Sequence, residues 1–274
     1  MHKVEEHYSL GDIEQTILQA LEKAGQDLDQ LTLDDLAQVD EFHIRGPEAT
    51  REMAEEIGID AQMQVLDVGC GLGGPSRRLA SIYGCHVTGL DLTEAYCRVA
   101  EALSTRLGLG HLVSYRTGNA LDMPFEDTRF DVLWTQHTAM NIGEKAQLYS
   151  EMYRVLKPGG HLAIYDIIAA PGGEVYFPVP WARDPSISFL TTGEELKDYL
   201  GAAGFNIISW RDTTDVGLAW FAAKSAQIKK HGRPILGYHM LLGDDFLTMA
   251  RNQLRSFKEN RMALLQVIAE RPAK

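Results

Sequence analysis

The chain has 274 residues, enough for one large core or for one core with an added cap. Its composition, 45% hydrophobic and 23% charged, is ordinary for a globular protein, and no apolar run approaches the roughly 18 residues of a membrane-spanning helix. The formal net charge of −12 disfavours a polyanionic partner such as nucleic acid.

Targeting and redox features point to the inside of the cell. The N-terminal stretch MHKVEEHYSLGD has neither the apolar core nor the cleavage pattern of a signal peptide. Three cysteines, Cys70, Cys85 and Cys97, form no CxxC pair and leave an odd thiol. We therefore expect a reduced, cytoplasmic protein.

The spacing of apolar residues predicts helical flanks around a central alternation of strands and helices. An amphipathic helix is predicted over 12–24, a short helical turn near 34–38, and a helix over 47–57 that begins at Pro47. Strands are predicted at 63–68, 86–91, 112–117, 130–136, 161–168 and 205–210, with helices at 75–83, 93–106, 144–155 and 193–203. Residues 216–257 are predicted to be mostly helical, and 261–270 to form a closing strand beside 205–210, with a terminal helix as the alternative.

This alternation predicts a parallel sheet covered by helices on both faces. We expect an α/β fold, with a doubly wound, mostly parallel seven-stranded sheet whose last strand is antiparallel, in one domain overall. Residues 1–46 would form a helical N-terminal lid and residues 47–170 the cofactor-binding core. Residues 171–274 would complete the sheet and form a cap on the substrate side.

The most informative segment is the glycine-rich sequence VLDVGCGLGG (65–74), which leaves a buried strand and opens a helix. Glycines let the backbone turn sharply and approach a ligand closely, and the helix N-terminus offers unpaired N–H groups to its anionic end. Asp91 ends the next strand, 22 residues after Gly69. A carboxylate there suits the two hydroxyls of a ribose.

Gly69, Gly71 and Gly74 also satisfy the pattern G-x-G-x-x-G, so a dinucleotide-dependent dehydrogenase is the alternative. Three features favour S-adenosylmethionine instead. Asp67 lies two residues before the first glycine, where an acid would face a cationic ammonium group and repel a pyrophosphate. The core begins only near residue 63, behind a helical segment, and no second domain of substrate-binding size follows.

Five sequence blocks together resemble the class I S-adenosylmethionine-dependent methyltransferases. They are LDVGCGLGGPSRRLA, TGLDLT, GNALDMPFED, FDVLWTQH and RVLKPGG, in that order, and the resemblance covers residues 40–170 well. Within that class, the chain is similar to bacterial methyltransferases of small molecules, which include sarcosine/dimethylglycine and natural-product enzymes. The resemblance implies methyl transfer from S-adenosylmethionine, with S-adenosylhomocysteine as the product.

The cofactor-binding residues expected from the motif and the resemblance are Asp67, Gly69, Gly71, Gly73, Asp91, Leu92, Asn119, Ala120 and Gln136. The resemblance implies that the glycines and Gln136 line the methionine part and that Asp91 holds the ribose hydroxyls. It places Leu92 on the adenine face, and Asn119 with Ala120 at the adenine edge. Asn119 departs from the usual aspartate, yet its carbonyl oxygen can still accept from the adenine amino group.

The chemistry is expected just after the fourth strand, because ligands of open α/β sheets lie beyond the carboxyl ends of the strands. His137 there is a candidate general base, since imidazole titrates near neutral pH. The alternatives are a histidine that only positions substrate or cofactor, and a purely structural one. The segment QHTAMN (136–141) has no Asn/Asp-Pro-Pro-Tyr loop, which argues against an adenine-N6 or glutamine methyltransferase.

The residues expected on the acceptor side are Tyr8, His43, Arg45, Asn141, Trp181 and His239. Tyr8 would cover the sulfonium by cation–π attraction, or pack as an ordinary aromatic. His43 and Arg45 lie in a non-periodic loop and would contact a substrate carboxylate, with plain surface charge as the alternative. His239 lies in an apolar stretch, where a cap histidine is the alternative to a ligand.

The expected acceptor is a small molecule. An amine or amino-acid nitrogen is preferred, and the oxygen or carbon of an aromatic or other natural product is the alternative. A non-catalytic cofactor-binding protein is a remote alternative. Histidines, cysteines and acids show no metal-ligand spacing, so we expect no metal. We also expect no membrane contact, and the sequence leaves the oligomeric state open.

Overall fold

A computed structural model describes residues 13–232 and 234–273 of the chain. Its strands are β1 (Gln64–Val68), β2 (His86–Asp91), β3 (Val113–Thr117), β4 (Phe130–Gln136), β5 (Leu156–Ala169), β6 (Asn206–Asp212) and β7 (Met262–Glu270). Its helices are α1 (Ile13–Lys23), α2 (Leu33–Asp40), α3 (Pro47–Ile57), α4 (Gly74–Tyr83), α5 (Glu94–Arg106), α6 (Lys145–Val155), α7 (Gly193–Ala203), α8 (Thr214–His231), α9 (His239–Leu242) and α10 (Phe246–Lys258). Single 3-10 turns lie at Ala139–Asn141, Pro185–Ile187 and Gly243–Asp245.

The strands form one sheet in the order β3-β2-β1-β4-β5-β7-β6. Strands β1 to β5 run parallel to one another, whereas β7 runs antiparallel to both β5 and β6. The strand order reverses between β1 and β4. In an open sheet the connections diverge to opposite faces at such a point and leave a crevice at the carboxyl ends.

The predicted α/β fold is confirmed, including the antiparallel last strand beside β6. The short turn expected near 34–38 is a helix of eight residues, begun by a capping box between Thr32 and Asp35. The predicted start of the fifth strand at residue 161 is wrong, because β5 already begins at Leu156. Gly159, with a φ of 78°, instead lies in an irregular stretch where the pairing with β4 shifts register.

Apolar side chains form a core on each face of the sheet and a third cluster outside it. We call this third group the lid cluster. It joins α1 and α2, the segment before α9, and one face of α5 to Leu72 of the glycine-rich loop. Its buried members are Ile13, Ile17, Ala20, Leu21, Leu36, Val39, Leu72, Tyr96, Val99, Leu103, Leu236 and Leu241. The described part of the N-terminal segment therefore packs directly on the loop that is expected to bind the cofactor.

Within the described residues, none of the helices combines the length and the apolar character that crossing a bilayer requires.

Candidate functional site

The glycine loop, residues 69–73, connects β1 to α4 at the crevice. Gly69, Gly71 and Gly73 have φ values of 77°, 52° and 79°, a region that residues with a Cβ rarely adopt. A Cβ at Gly69 would lie 2.2 Å from the hydroxyl oxygen of Thr138, so glycine also permits close packing against the segment after β4. A Cβ at Gly71 would meet nothing within 4 Å. The loop thus has open space beside Gly71, as a ligand-binding loop requires.

Asp91, at the end of β2, lies against this loop. Its carboxylate accepts hydrogen bonds from the backbone N–H of Gly71 at 2.9 Å and from that of Thr93 at 2.8 Å. Burial raises the pKa of Asp91, although these N–H groups oppose the rise. Each carboxylate oxygen keeps a second lone pair, so the group can still accept from two hydroxyls.

Asp67 lies beneath the glycine loop. It is 2% exposed, and its carboxylate accepts a hydrogen bond from the hydroxyl of Ser76 at 2.6 Å. Burial raises the pKa of Asp67 to about 7. These contacts join β1 to α4, so Asp67 supports the loop from within in this geometry.

Arg77 is a residue of the site that the sequence analysis missed. Its guanidinium is fully buried and donates to Leu72 O in the glycine loop at 2.6 Å and to the Asp40 carboxylate of α2 at 2.7 Å. The other terminal nitrogen donates to Ala100 O at 3.1 Å and to the Ser104 hydroxyl at 3.2 Å. Arg77 therefore connects the glycine loop, α2 and α5 through one side chain.

The expected adenine side of the site lies between the ends of β2 and β3. Leu92 is partly exposed there, and Ala120 packs at the edge of the second core. The side-chain oxygen of Asn119 accepts a hydrogen bond from the backbone N–H of Leu121 at 3.0 Å. An amide oxygen is an acceptor of the kind expected at the adenine edge.

Gln136, the last residue of β4, carries a donor that no described residue uses. It is 8% exposed, and its side-chain oxygen accepts from the indole N–H of Trp134 at 2.7 Å and from the Thr50 hydroxyl at 3.2 Å. Its amide nitrogen has no hydrogen-bond partner among the described residues. A buried donor without a partner is costly, and an acceptor group of a bound ligand would satisfy it.

His137 follows directly and adopts a φ of 53°. Its Nδ1 lies 3.1 Å from the carbonyl oxygen of Tyr165, and its Nε2 accepts from the backbone N–H of Ile44 at 3.2 Å. The ring stacks on that of Tyr165, with centroids 5.5 Å apart and an interplanar angle of 13°. Burial lowers the pKa of His137 to about 3. Both ring nitrogens are thus engaged, and the imidazole is neutral at pH 7.

The 3-10 turn after β4 is held at both ends by a buried pair that the sequence analysis also missed. Lys145 donates from Nζ to the carbonyl oxygens of Ala139, Ile142 and Phe189 at 2.5 to 2.7 Å. Asp166 accepts from backbone N–H groups of the same turn. Burial lowers the pKa of Lys145 to about 8 and raises that of Asp166 to about 7. The pair therefore fixes the turn after β4, the region in which the chemistry is expected.

Asn141, which is half-buried, and the buried Trp181 contact each other beside that turn. The Asn141 amide donates to Trp181 O at 2.8 Å and to Ile187 O at 2.9 Å. Trp181 is 1% exposed, and its indole N–H donates to the Ser188 hydroxyl at 3.0 Å. The Asn141 and Trp181 side chains thus join the turn after β4 to the segment 181–188.

The remaining predicted acceptor residues separate into two places. His43 and Arg45 lie with His137 at the end of β4, beside Tyr165 of β5, and Arg45 pairs with Glu52 of α3. His239 lies in the cap, with its ring centroid 6.2 Å from that of Phe246. Tyr8 lies outside the described residues.

Comparison with known proteins shows which proteins this chain resembles. Residues 66–164 match the family model described as a methyltransferase domain. The glycine/sarcosine/dimethylglycine N-methyltransferase of Actinopolyspora halophila is 37% identical over 120 residues, which cover 44% of this chain and 21% of that protein. The chain is thus similar to methyltransferases over its central part. It spans only about a fifth of the length of this curated relative.

Solved structures extend the likeness of the methyltransferase domain to its flanks. The crystal structure of the [4+2]-cyclase SpnF has 26% sequence identity and a TM-score of 0.66, with 83% of this chain and 82% of that chain covered. A phosphoethanolamine N-methyltransferase 2 of Haemonchus contortus, in complex with S-adenosyl-L-methionine, has 19% identity and a TM-score of 0.74. That likeness covers 93% of this chain and 60% of the other, and it concerns the fold.

Proposed function

We propose that this protein transfers a methyl group from S-adenosylmethionine to a small-molecule acceptor. The main support for the proposal is the hydrogen bond from the glycine loop to Asp91, together with the open space beside Gly71. The unused amide N–H group of Gln136, buried at the same edge of the sheet, supports it.

The residues present fit the cofactor. The backbone of the glycine loop and the Gln136 amide would hold its methionine end, Asp91 its ribose, and Leu92 with Asn119 and Ala120 its adenine. When bound, the cofactor supplies a methyl group already activated by the positive sulfur. The protein then has to orient the acceptor and exclude water. The lid cluster supports water exclusion, because it packs onto Leu72 of the loop itself.

His137 has a positioning role in this proposal. Its Nε2 lone pair is used by Ile44 and its Nδ1 by Tyr165, so neither nitrogen is offered to an acceptor. The ring instead fixes the end of β4 against the loop before α3. Of the three roles considered from the sequence, this contact pattern favours positioning.

An amine or amino-acid nitrogen is the preferred acceptor, because the named relatives include N-methyltransferases of glycine derivatives and of phosphoethanolamine. Methylation of oxygen or carbon is the second candidate, since sterol and tocopherol methyltransferases also match the central domain. One similar structure is named a cyclase, so methyl transfer itself has to be measured.

The test is a transfer assay with the methyl-labelled cofactor. Sarcosine, dimethylglycine, phosphoethanolamine and a catechol would be offered in turn, and labelled product would be separated from the donor. We expect transfer to at least one nitrogen acceptor, and loss of it in Asp91→Ala. Saturable cofactor binding without transfer to any of these acceptors would remove the amine preference and point to a cofactor-binding role without methylation.

A further inference from the structure

Two of the three cysteines lie at the carboxyl end of β2, beside the glycine loop. Cys70 is part of that loop, and Cys97 is on α5. Sγ of Cys97 lies 4.0 Å from the carbonyl oxygen of Asp91, the last residue of β2. Two separate elements thus bring a thiol to the same strand end.

Cys70 is held against β2 by both its backbone and its side chain. Its backbone N–H donates to the carbonyl oxygen of Leu90 at 3.1 Å. A Cβ at Gly89 would lie 2.8 Å from Cys70 Sγ, so the absence of a side chain at this position of β2 makes room for the sulfur. The same sulfur lies 3.9 Å from the carbonyl oxygen of Gly71. The position of Cys70 is therefore tied to the glycine loop and to the end of β2.

The two thiols also contact each other. The thiol of Cys70 donates a hydrogen bond to the sulfur of Cys97. The two residues are 4% and 5% exposed. The hydrogen bond lowers the pKa of Cys97, although burial opposes this, whereas burial raises the pKa of Cys70. Cys97 is thus the sulfur that more readily becomes a thiolate, and Cys70 is the thiol beside it.

We propose that Cys70 and Cys97 form a reversible disulfide when the protein meets a peroxide, and that this bond weakens binding of the cofactor. The second half of the inference rests on the proposed function. Disulfides in reduced compartments are usually transient and redox-sensing, so a reversible bond agrees with the cysteine content of the chain.

The reaction needs one molecule of hydrogen peroxide. The Cys97 thiolate attacks one peroxide oxygen, a sulfur–oxygen bond forms as the oxygen–oxygen bond breaks, and the released hydroxide takes up a proton to become water. The Cys70 sulfur then attacks the Cys97 sulfur, and the disulfide bond forms as the sulfur–oxygen bond breaks. The hydroxide that leaves takes the proton of the Cys70 thiol. Two thiols and one peroxide thus give one disulfide and two waters, and each sulfur loses one electron.

The disulfide would act on the contacts that organise the cofactor site. Its sulfurs lie about 2.0 Å apart, closer than two thiols in contact, so Cys70 and Cys97 must draw together. The backbone N–H of Gly71, next to Cys70, donates to the Asp91 carboxylate at 2.9 Å. Movement of Cys70 therefore shifts the glycine loop relative to Asp91, the residue expected to hold the ribose. By linkage, bound cofactor opposes formation of the disulfide.

The first test maps the disulfide and needs neither cofactor nor acceptor. Digestion after Lys, Arg and Glu places Cys70, Cys85 and Cys97 in three separate peptides, 57–77, 79–94 and 95–98. The wild-type protein is treated with equimolar hydrogen peroxide, digested without reductant and analysed by mass spectrometry. We expect peptides 57–77 and 95–98 to be joined, and to separate in dithiothreitol. Free thiols in both peptides, or sulfinic and sulfonic acids only, would overturn the proposal.

The second test compares two matched replacements of buried cysteines. Cys85 is fully buried and directly precedes β2, at the opposite end of the strand from Cys97. The Kd for S-adenosylhomocysteine is measured by calorimetry before and after peroxide. We expect peroxide to raise the Kd of wild type and of Cys85→Ala by about 5- to 150-fold, the usual range of coupling between two sites. Dithiothreitol should reverse the change, and Cys97→Ala should show none.

The outcomes distinguish this inference from the proposed function. An unchanged Kd in the oxidised wild-type protein, or an equal loss of affinity in Cys97→Ala, contradicts a disulfide that controls the site. Absence of S-adenosylhomocysteine binding by the reduced wild-type protein removes the proposed function and the coupling with it. The peptide map still decides whether Cys70 and Cys97 form a disulfide.

Discussion

Replacement of Arg77 by methionine is the sharpest test of how the N-terminal segment and the glycine loop are held together. The change removes five hydrogen bonds of 2.6 to 3.4 Å and leaves the Asp40 carboxylate, 5% exposed, without its cation. Loss of one partner of a buried ion pair typically costs about 3–5 kcal/mol. Protonation of Asp40 would remove the unpaired buried charge. For a carboxyl group with the ordinary pKa of 3.8, protonation at pH 7 costs about 4 kcal/mol.

Both routes therefore predict that Arg77→Met lowers the free energy of unfolding by about 3–5 kcal/mol. The assay is urea unfolding at pH 7, followed by circular dichroism. Arg211→Met is the matched control, because Arg211 pairs with Glu56 at the surface and should cost less than about 1 kcal/mol. Arg77→Met with Asp40→Asn should recover part of the loss, since no unpaired charge then remains buried.

The pH dependence of Arg77→Met has a definite sign. Burial raises the pKa of Asp40 in the folded protein to about 6, although Arg77 lowers it. Removal of Arg77 should therefore raise the pKa of Asp40 further. A carboxyl group with a raised folded pKa gains stability as the pH falls, because the folded state binds the proton more tightly. The destabilisation should shrink between pH 7 and pH 5. A loss of stability below 1 kcal/mol, or one that grows as the pH falls, would show that the Arg77–Asp40 pair is not a buried charge pair of this strength.

Three further changes test the site itself. Asp91→Asn should raise the Kd for S-adenosylmethionine by about 10- to 100-fold in calorimetry, because charge-assisted hydrogen bonds to two hydroxyls are lost; unchanged affinity would show that Asp91 holds only the loop. His137→Gln keeps an acceptor for Ile44 N, so turnover should stay within about tenfold with a raised KM, and a 100-fold fall in kcat would return it to the role of base. Gly69→Ala should lower the free energy of unfolding, measured with urea, by well over the roughly 1 kcal/mol that a strained backbone typically costs. The reason is that the new Cβ would lie 2.2 Å from the Thr138 hydroxyl oxygen. Gly58 has a φ of 75° and no atom within 4 Å of an added Cβ, so Gly58→Ala should lower the free energy of unfolding by only about 1 kcal/mol. Equal losses in the two variants would contradict a close contact between the Cβ at position 69 and Thr138.

Local pattern was sufficient to predict most of the sheet and its helices. Helix α3 begins at Pro47 and strands β2 and β4 have the predicted bounds, because proline chemistry and apolar runs are local properties. The glycine loop and Asp91 were also found from spacing alone, since a strand, a tight turn and a helix N-terminus lie consecutively in the chain.

The contacts that give the site its character are not local. Arg77 and Asp40 are 37 positions apart. Charged residues in a helix sequence ordinarily indicate the solvent-exposed face, so neither residue was expected to be buried. Ile44 and His137 are 93 positions apart, so nothing near His137 in the sequence indicates that its Nε2 is already used. Only the folded chain determines which backbone groups reach the ring of His137.

Thermal unfolding with S-adenosylmethionine, S-adenosylhomocysteine and NAD side by side tests the central claim most directly. At a ligand concentration about 100-fold above its Kd, binding stabilises the folded state by about 2.7 kcal/mol, which is readily seen as a raised midpoint. We expect a raised Tm with both adenosyl ligands and an unchanged Tm with NAD. A raised Tm with NAD alone would contradict it, and would make the glycine loop a dinucleotide site.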